Sequence, residues 1–498
     1  MSRRLRSVLI ANRGEIAVRI VRACRELGIR AVAVYSEPDR FAAHVQAADE
    51  AYPIGPAPSA ESYLRAERLL EVAQRAGCDA VHPGYGFLAE RAFFADMVEQ
   101  AGLTFIGPPA SAIAAMGDKT EARRRMLAAG VPVVPGATAA LADASAAAGA
   151  ARELGYPVLL KAAAGGGGKG MRVVHAAAEL QRAFAAAAHE AQASFGDASV
   201  YVEKYLERPR HIEIQILADA HGNALHLGER DCSVQRRHQK MIEEAPSPAL
   251  TLELRARMGE TAVAAARAVG YRNAGTVEFL FHDGDFYFLE MNTRIQVEHP
   301  VTELVTGIDL VQWQLRIAAD EPLPFQQRAL TPRGHAIECR ITSEDAAQGF
   351  MPSTGRITVL DLPAGPGVRW DGGVLAGSEV SRYYDPLLGK LIVHAPDRAA
   401  ALDRMSRSLA ELCIAGVATT VPFHRRVMVE PDFRAGNVNI RYIDEHPELL
   451  ACGADERTLR AAALGAALLE DEARTGRAAP RIDGGNASRS GWRDMHWQ

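Results

Sequence analysis

Cysteine is scarce in this chain and poorly placed for chemistry. The six in 498 residues, Cys24, Cys78, Cys232, Cys339, Cys413 and Cys452, form no CxxC pair and no Cys/His cluster, which excludes a disulfide framework and gives no support to a zinc site. Basic excess is missing as well. With a formal net charge of −5, neither nucleic acid nor an anionic membrane is expected as a partner. Long apolar runs are also lacking: residues 8–11 follow a basic start but break at Asn12-Arg13-Gly14, and residues 461–469 are too short to cross a bilayer. These absences predict a cytoplasmic globular protein, long enough for about three domains.

Two phosphate-binding signatures are absent too. Residues 7–11 read as a strand, 15–27 as a helix and 30–35 as a second strand, opening a Rossmann-like βαβ unit. No GxGxxG follows the first strand, so a dinucleotide is not indicated. A helix over 63–76 leads to a strand end and loop at 79–86, and a domain boundary is placed near Gly117. Strands over 156–161 and 171–174 flank a run of glycines. This is not a P-loop, because Lys169 precedes Gly170 instead of Ser or Thr, and a strand follows where a helix is required. A hinged hairpin tip closing over phosphates accounts for the run, and so does a flexible linker. The Ala-rich stretches 139–151 and 183–193 read as helices. Residues 229–244, taken alone, read as a solvated basic loop, with Cys232 a packed thiol rather than a nucleophile.

What is present is an alternating ladder. Glu290, Asn292, Arg294, Gln296 and Glu298 occupy every second position; in an extended chain they share one face over roughly 26 Å. Either this is the solvated side of an amphipathic strand or the floor for an ionic ligand. The preceding runs, Gly275-Thr-Val-Glu278-Phe-Leu-Phe and Phe286-Tyr-Phe-Leu-Glu290, are β-rich around the turn His282-Asp-Gly-Asp285, predicting a hairpin. Glu278 then faces Leu289 or Glu290. Two acids so close call for a cation, and magnesium held by one or two carboxylates and a nucleotide fits that need. An accidental acidic pair on a structural hairpin is the alternative.

Ile10-Ala-Asn-Arg-Gly-Glu-Ile-Ala, His82-Pro-Gly-Tyr-Gly-Phe-Leu, Gly117-Asp-Lys, the Gly165–Met171 loop, residues 229–246, residues 290–300 and Ala336-Ile-Glu-Cys-Arg340, in that order over about residues 5–448, resemble biotin carboxylase, a family of the ATP-grasp superfamily. The resemblance implies an α/β protein with a Rossmann-like N-terminal domain at 1–117, an ATP-grasp domain at 118–320 whose mobile glycine-rich lid spans about 133–203, a C-terminal α+β domain at 333–448, and a variable tail at 449–498. It implies ATP contacts from Lys119, Lys161, Gly165, Gly166, Gly167, Gly168, Gly170, Glu203, Lys204, Leu206, His211, Gln235, His238, Glu278 and Glu290. Glu278, Glu290 and Asn292 correspond to ligands of two magnesium or manganese ions. Lys240, Arg294, Gln296, the Val297 backbone and Glu298 correspond to the bicarbonate site, with Glu298 as base. Arg340, otherwise readable as a surface ion pair, corresponds to the group that steadies the biotin ureido oxygen.

Such an enzyme carboxylates biotin with bicarbonate at the expense of ATP, through carboxyphosphate. None of the twelve methionines stands in a Met-Lys-Met carrier signature, so biotin is expected on a separate carrier protein, with a separate carboxyltransferase subunit and a homodimeric assembly. The final acceptor, an acyl-CoA or pyruvate, stays open. Another ATP-grasp ligase would share Lys119, Lys161, Glu278 and Glu290 without needing Arg294, Gln296 and Glu298. A non-catalytic ATP-binding subunit would be expected to lose the base or a metal ligand, and all are present. The chain departs from the family pattern at Ala163-Ala164, where Ser-Gly is usual, at Arg382 and Pro386, and at Thr420, where Asn is usual.

Overall fold

The computed structural model describes residues 4–137, 141, 143–162, 171–195, 197–451 and 456–476. The chain divides into two units, residues 1–450 and 451–498. In the second, the helix Glu456–Gly476 exposes Leu464, Leu468 and Leu469.

The first unit opens with five parallel strands, β1 (Ser7–Ile10), β2 (Arg30–Ser36), β3 (Glu50–Gly55), β4 (Ala80–His82) and β5 (Thr104–Phe105), in the order β3-β2-β1-β4-β5. The unbroken apolar run of β1 suits a strand covered on both faces. In such sheets the crevice beyond the strands' carboxyl ends is where ligands bind. Here the chain fills part of it with its own later residues. The Tyr384 hydroxyl donates to the Ala57 carbonyl at 2.6 Å and lies 2.6 Å from Ser36 Oγ, whose hydroxyl can donate to it, and Arg13 lies 4.1 Å over the Tyr384 ring while paired to Asp39. A Cβ on Gly373 would come within 2.5 Å of the Glu15 amide, so only glycine allows this approach. Asn12 explains part of the His82–Leu88 motif: its side-chain amide donates to the Pro83 and Tyr85 carbonyls at 2.7 Å.

Asp118 accepts hydrogen bonds from the Thr120 and Glu121 amides and so starts the helix Lys119–Ala128. Next come β6 (Val158–Ala162), β7 (Arg172–Val174) and β8 (Val200–Lys204), an antiparallel sheet ordered β7-β6-β8. Its core of Val158, Leu160, Val174, Val200 and Val202 includes Ala147 and Ala187 of the helices Ala144–Leu154 and Ala177–Phe195. Leu160 pairs with Arg172, so β6 and β7 are the arms of the expected glycine hairpin. Its tip, with Ala163, Ala164 and Gly165 through Gly170, lies outside the described residues.

The largest sheet has eight antiparallel strands: β9 (Arg210–Ala218), β10 (Ala224–Arg236), β11 (Gln239–Ala245), β12 (Asn273–His282), β13 (Asp285–Asn292), β14 (His335–Thr342), β15 (Val368–Gly372) and β16 (Leu387–Ala395), ordered β13-β12-β9-β10-β11-β14-β16-β15. It runs without a break from the central to the C-terminal part of the chain.

Two expectations are corrected. Residues 229–244 are not a solvated loop: they form most of the β10–β11 hairpin, turned by Arg237 and His238 in left-handed backbone at φ 47° and 65°. Their charges escaped an amphipathic reading because they pair inside the protein, Arg230 being wholly buried. The 290–298 ladder is not one extended strand either. β13 ends at Asn292, residues 293–298 turn, and the helix His299–Thr306 begins after Glu298.

Candidate active site

The turn after β13 gathers the ladder instead of spreading it. Lys240 of β11 is the hub, with Nζ 2.5 Å from Glu213, 2.7 Å from Glu278 and 2.7 Å from Glu298. Asn292 and Gln296 each donate to Glu278 Oε1 at 2.8 Å, and Arg294 reaches Asn292 at 3.2 Å. Glu298 gives its other oxygen to Arg340, 2.8 Å away, and the same guanidinium is bonded to Glu243 at 2.6 Å. Thus the solvated-face alternative fails for Asn292, Gln296 and Glu298, and Arg340 is not a surface ion pair.

The electrostatics follow from burial. Burial alone would raise the Glu298 carboxyl; Lys240, then Arg340 and Arg230, overcome it and hold the group below the ordinary carboxylate range. Burial likewise works against ionised Glu278, and Lys240 and His211, the latter 3.1 Å away, push it well down. Burial opposes the charge on Lys240, yet Glu213, Glu278 and Glu298 raise it well above the usual lysine value. Glu243 is different: burial lifts it to about 7 against the pull of Arg340.

Glu278 pairs directly with Glu290 across the β12–β13 hairpin, one of the two predicted registers. Glu290 lies open to solvent. Desolvation there, followed by Glu278, raises its carboxyl, and Lys119 is the first charge opposing this. His211, Glu213 and Glu278 bring ligand atoms within 4.8 Å of one another, but Lys240 already compensates that group. The less compensated charge lies at Glu290, which fits a divalent cation beside the Glu278–Glu290 pair.

A second cluster lies around β8. Lys161 Nζ donates to Glu203 at 2.5 Å, Arg123 bonds the other Glu203 oxygen at 3.0 Å, and Lys204 holds the Gly155 carbonyl at 2.9 Å. Leu206 follows two residues after this strand ends. Gln235 pairs with Lys240 across the β10–β11 hairpin, whose turn holds His238. The Val297 carbonyl accepts from Lys390 at 2.6 Å. Thr420, one of the departures, is buried; it donates to the Arg340 carbonyl at 3.1 Å and accepts from the Thr342 amide at 3.0 Å.

Several residues that complete the site escaped sequence reasoning. Glu213 was within reach, since it alternates with His211 and Gln215 in a strand that pairs with Glu278. Arg230, bonded to Glu213, Gln215, Thr276, Gln296 and Thr302, carries no local signal. Neither does Glu90, which holds Arg294 at 2.9 Å and the Thr293 amide at 3.1 Å. Lys390 stands alone in an apolar run, and Glu338 alternates with Arg340; both were signals of a kind.

An acid–amide–guanidinium cradle beside a carboxylate pair thus sits on the large antiparallel sheet, in a chain that also carries a smaller three-stranded sheet packed against two helices. Family models match along the chain: biotin carboxylase N-terminal domain over residues 4–113, carbamoyl-phosphate synthase L chain ATP-binding domain over 118–326, and biotin carboxylase C-terminal domain over 338–445. The chain belongs to the biotin carboxylase family. It is 56% identical over 440 residues to a pyruvate carboxylase subunit of Methanothermobacter thermautotrophicus, covering 88% of this chain and 89% of that one. Biotin carboxylase of Allochromatium vinosum is 53% identical over 446 residues, 89% and 99% of the two chains. Among solved structures, the biotin carboxylase domain dimer of Hydrogenobacter thermophilus 2-oxoglutarate carboxylase, in complex with MgADP, ADP and bicarbonate, aligns at 50% identity and a TM-score of 0.85 over 90% of this chain and 99% of that one. The chain is therefore an ATP-dependent carboxylase ligase. Among the described residues no helix is long and apolar enough to cross a membrane.

Proposed function

We propose that this chain carboxylates biotin carried on a separate protein, using bicarbonate and ATP, with the 240/278–298/340 cluster as its reaction site. The observation that carries this reading is the placing of Glu298 between Lys240 and Arg340 at 2.7 and 2.8 Å. A base for bicarbonate must be ionised, close to cations that attract the anion, and shielded from water; Glu298 is 2% exposed and its charge is held on by those same cations.

In this reading Arg294, Gln296 and the Val297 amide orient bicarbonate, Lys240 offsets the charge that builds up, and Glu298 takes the proton as the oxygen attacks the γ-phosphate. Magnesium or manganese at Glu278, Glu290 and Asn292 would neutralise phosphate charge. Lys119, Lys161, His211, Gln235 and His238 serve the phosphates and ribose, the 165–170 loop closes over them, and Glu203, Lys204 and Leu206 receive the adenine. Arg340, holding a fixed guanidinium plane, stabilises the biotin enolate oxygen. The domain limits follow the sequence assignment, 1–117, 118–320 and 333–448.

Partners follow from relatives. A chain similar to a pyruvate carboxylase subunit is expected to work with a biotin carrier and a carboxyltransferase subunit, and the dimeric solved neighbour supports a homodimer. The test is ADP release from ATP and magnesium with free biotin or a biotinylated carrier, with and without bicarbonate. Turnover that needs bicarbonate and rises with biotin is the expected result; none with either biotin form overturns the reading.

A further inference from the structure

Lys390 is among the largest wholly buried side chains in the protein, and no step of the proposed reaction uses it. A buried ammonium is expensive and ordinarily persists because a carboxylate pairs with it. Here the shortest contact is to a neutral group: Nζ lies 2.6 Å from the Val297 carbonyl and 3.3 Å from Glu15 Oε1. That carbonyl belongs to residues 293–298, which have left β13 and pair with no strand among the described residues.

The register sharpens the point. Lys390 on β16 stands directly across from Arg340 on β14, so the two side chains project to one face. Arg340 grips the Glu298 carboxylate at 2.8 Å while Lys390 grips the backbone one residue earlier. Two neighbouring strands therefore hold consecutive residues, one through the side chain and one through the peptide. Behind Lys390, Glu15 comes from the helix Gly14–Glu26 and accepts from the Tyr85 hydroxyl. The other charged groups around it are Glu338 and Arg340 on β14 and Asp371 and Arg369 on β15, the last two paired to each other.

Resting on the reading of function given above, we propose that Lys390, supported by Glu15, is a positioning residue for bicarbonate: it fixes the peptide joining Val297 to Glu298 so that the Val297 amide and the Glu298 carboxylate face the same small anion. A lysine that merely neutralised Glu15 would not need its shortest bond to that carbonyl.

The test compares the full-length wild type with Lys390→Met and with the double variant Glu15→Gln/Lys390→Met, which leaves Glu15 no charge to bury. ADP release is followed against bicarbonate and against ATP, and melting temperature is recorded. Both variants should lose at least about tenfold in kcat/KM for bicarbonate while the KM for ATP stays within about twofold, because a misplaced base and cradle affect one substrate only. The double variant should melt above the single one and remain impaired with bicarbonate. The inference is overturned if the single variant matches wild type, if the double variant regains wild-type bicarbonate kinetics, which would make Lys390 a counterion alone, or if the double variant does not fold, which would make it part of the core. A wild type whose ADP release ignores bicarbonate overturns the proposed function instead, and the inference with it.

Discussion

Glu298 and Glu338 are both buried acids, and their surroundings drive them in opposite directions. Glu298 has two cations on it; replacing it with glutamine keeps its shape but removes its capacity to take a proton. Glu298→Gln should lower bicarbonate-dependent ADP release by about a hundredfold or more, with ATP affinity by calorimetry nearly unchanged; undiminished turnover would remove Glu298 as the base. Glu338 is wholly buried, neither of its oxygens has a hydrogen-bond partner among the described residues, and it lies across from Glu243 on β11. Burial raises its carboxyl well above the ordinary value, and although Lys390 opposes this, Glu243 adds to it. The folded protein therefore keeps a proton that the unfolded chain releases near the ordinary glutamate pKa. Stability from this group is present at acid pH and declines as pH rises, by about 1.4 kcal/mol per unit while the folded state holds the proton. Glu338→Gln carries no such dependence. Its melting temperature relative to wild type should rise between pH 5 and pH 8, and a difference that does not change with pH would show that Glu338 is already ionised.

Whole elements were legible where pattern is local. The opening βαβ unit, the glycine-hairpin arms and the 273–292 hairpin each appear within a few residues of their expected limits, because period-two runs and turn residues are properties of neighbouring positions. Where partners come from distant strands the reading failed. The charges of β10 and β11 look like a solvated loop until Glu213 is placed beside Arg230 and Lys240, and the 290–298 alternation looks like one strand although its last residues converge by turning. Family resemblance assigned Lys240 and Glu298 to one site, and the two lie 2.7 Å apart; it did not point to Glu213, Arg230 or Glu90, which complete their surroundings. One element contact is directly testable. Gly136 lies against β8, where a Cβ would approach the Val202 carbonyl to 2.6 Å and Glu203 Cα to 2.9 Å. Backbone cannot move aside as a side chain can. Gly136→Ala should displace Glu203 and Lys204 and raise the KM for ATP by ~5-fold, equivalent to about 1 kcal/mol of overpacking, while the KM for bicarbonate stays the same; equal changes in both would mean that β8 does not serve the nucleotide.

At the scale of the molecule, buried charges tie successive parts of the first unit together. Glu303, on the helix after the cradle, accepts from Arg19 at 2.9 Å and from Arg369 at 2.7 Å, so the N-terminal helix, the cradle and β15 meet at one carboxylate. Glu244 of β11 is held by His335 and Arg398 at 2.7 Å each, fastening the central part of the sheet to the C-terminal part. Each of these contacts falls within residues 1–450, as do all the residues proposed for ATP, bicarbonate and biotin, and the last family match ends at residue 445. Nothing in the proposed half-reaction therefore draws on residues 451–498. A chain ending at Leu450 should retain bicarbonate-dependent ADP release with free biotin within about twofold of full length and melt at nearly the same temperature, since a unit with its own core and internal ion pairs folds by itself. Activity with the biotinylated carrier separates two roles for the segment. An equal rate would leave it outside this half-reaction altogether, whereas a rate that falls only with the carrier would place the Glu456–Gly476 helix, with its exposed Leu464, Leu468 and Leu469, in carrier recruitment rather than in catalysis.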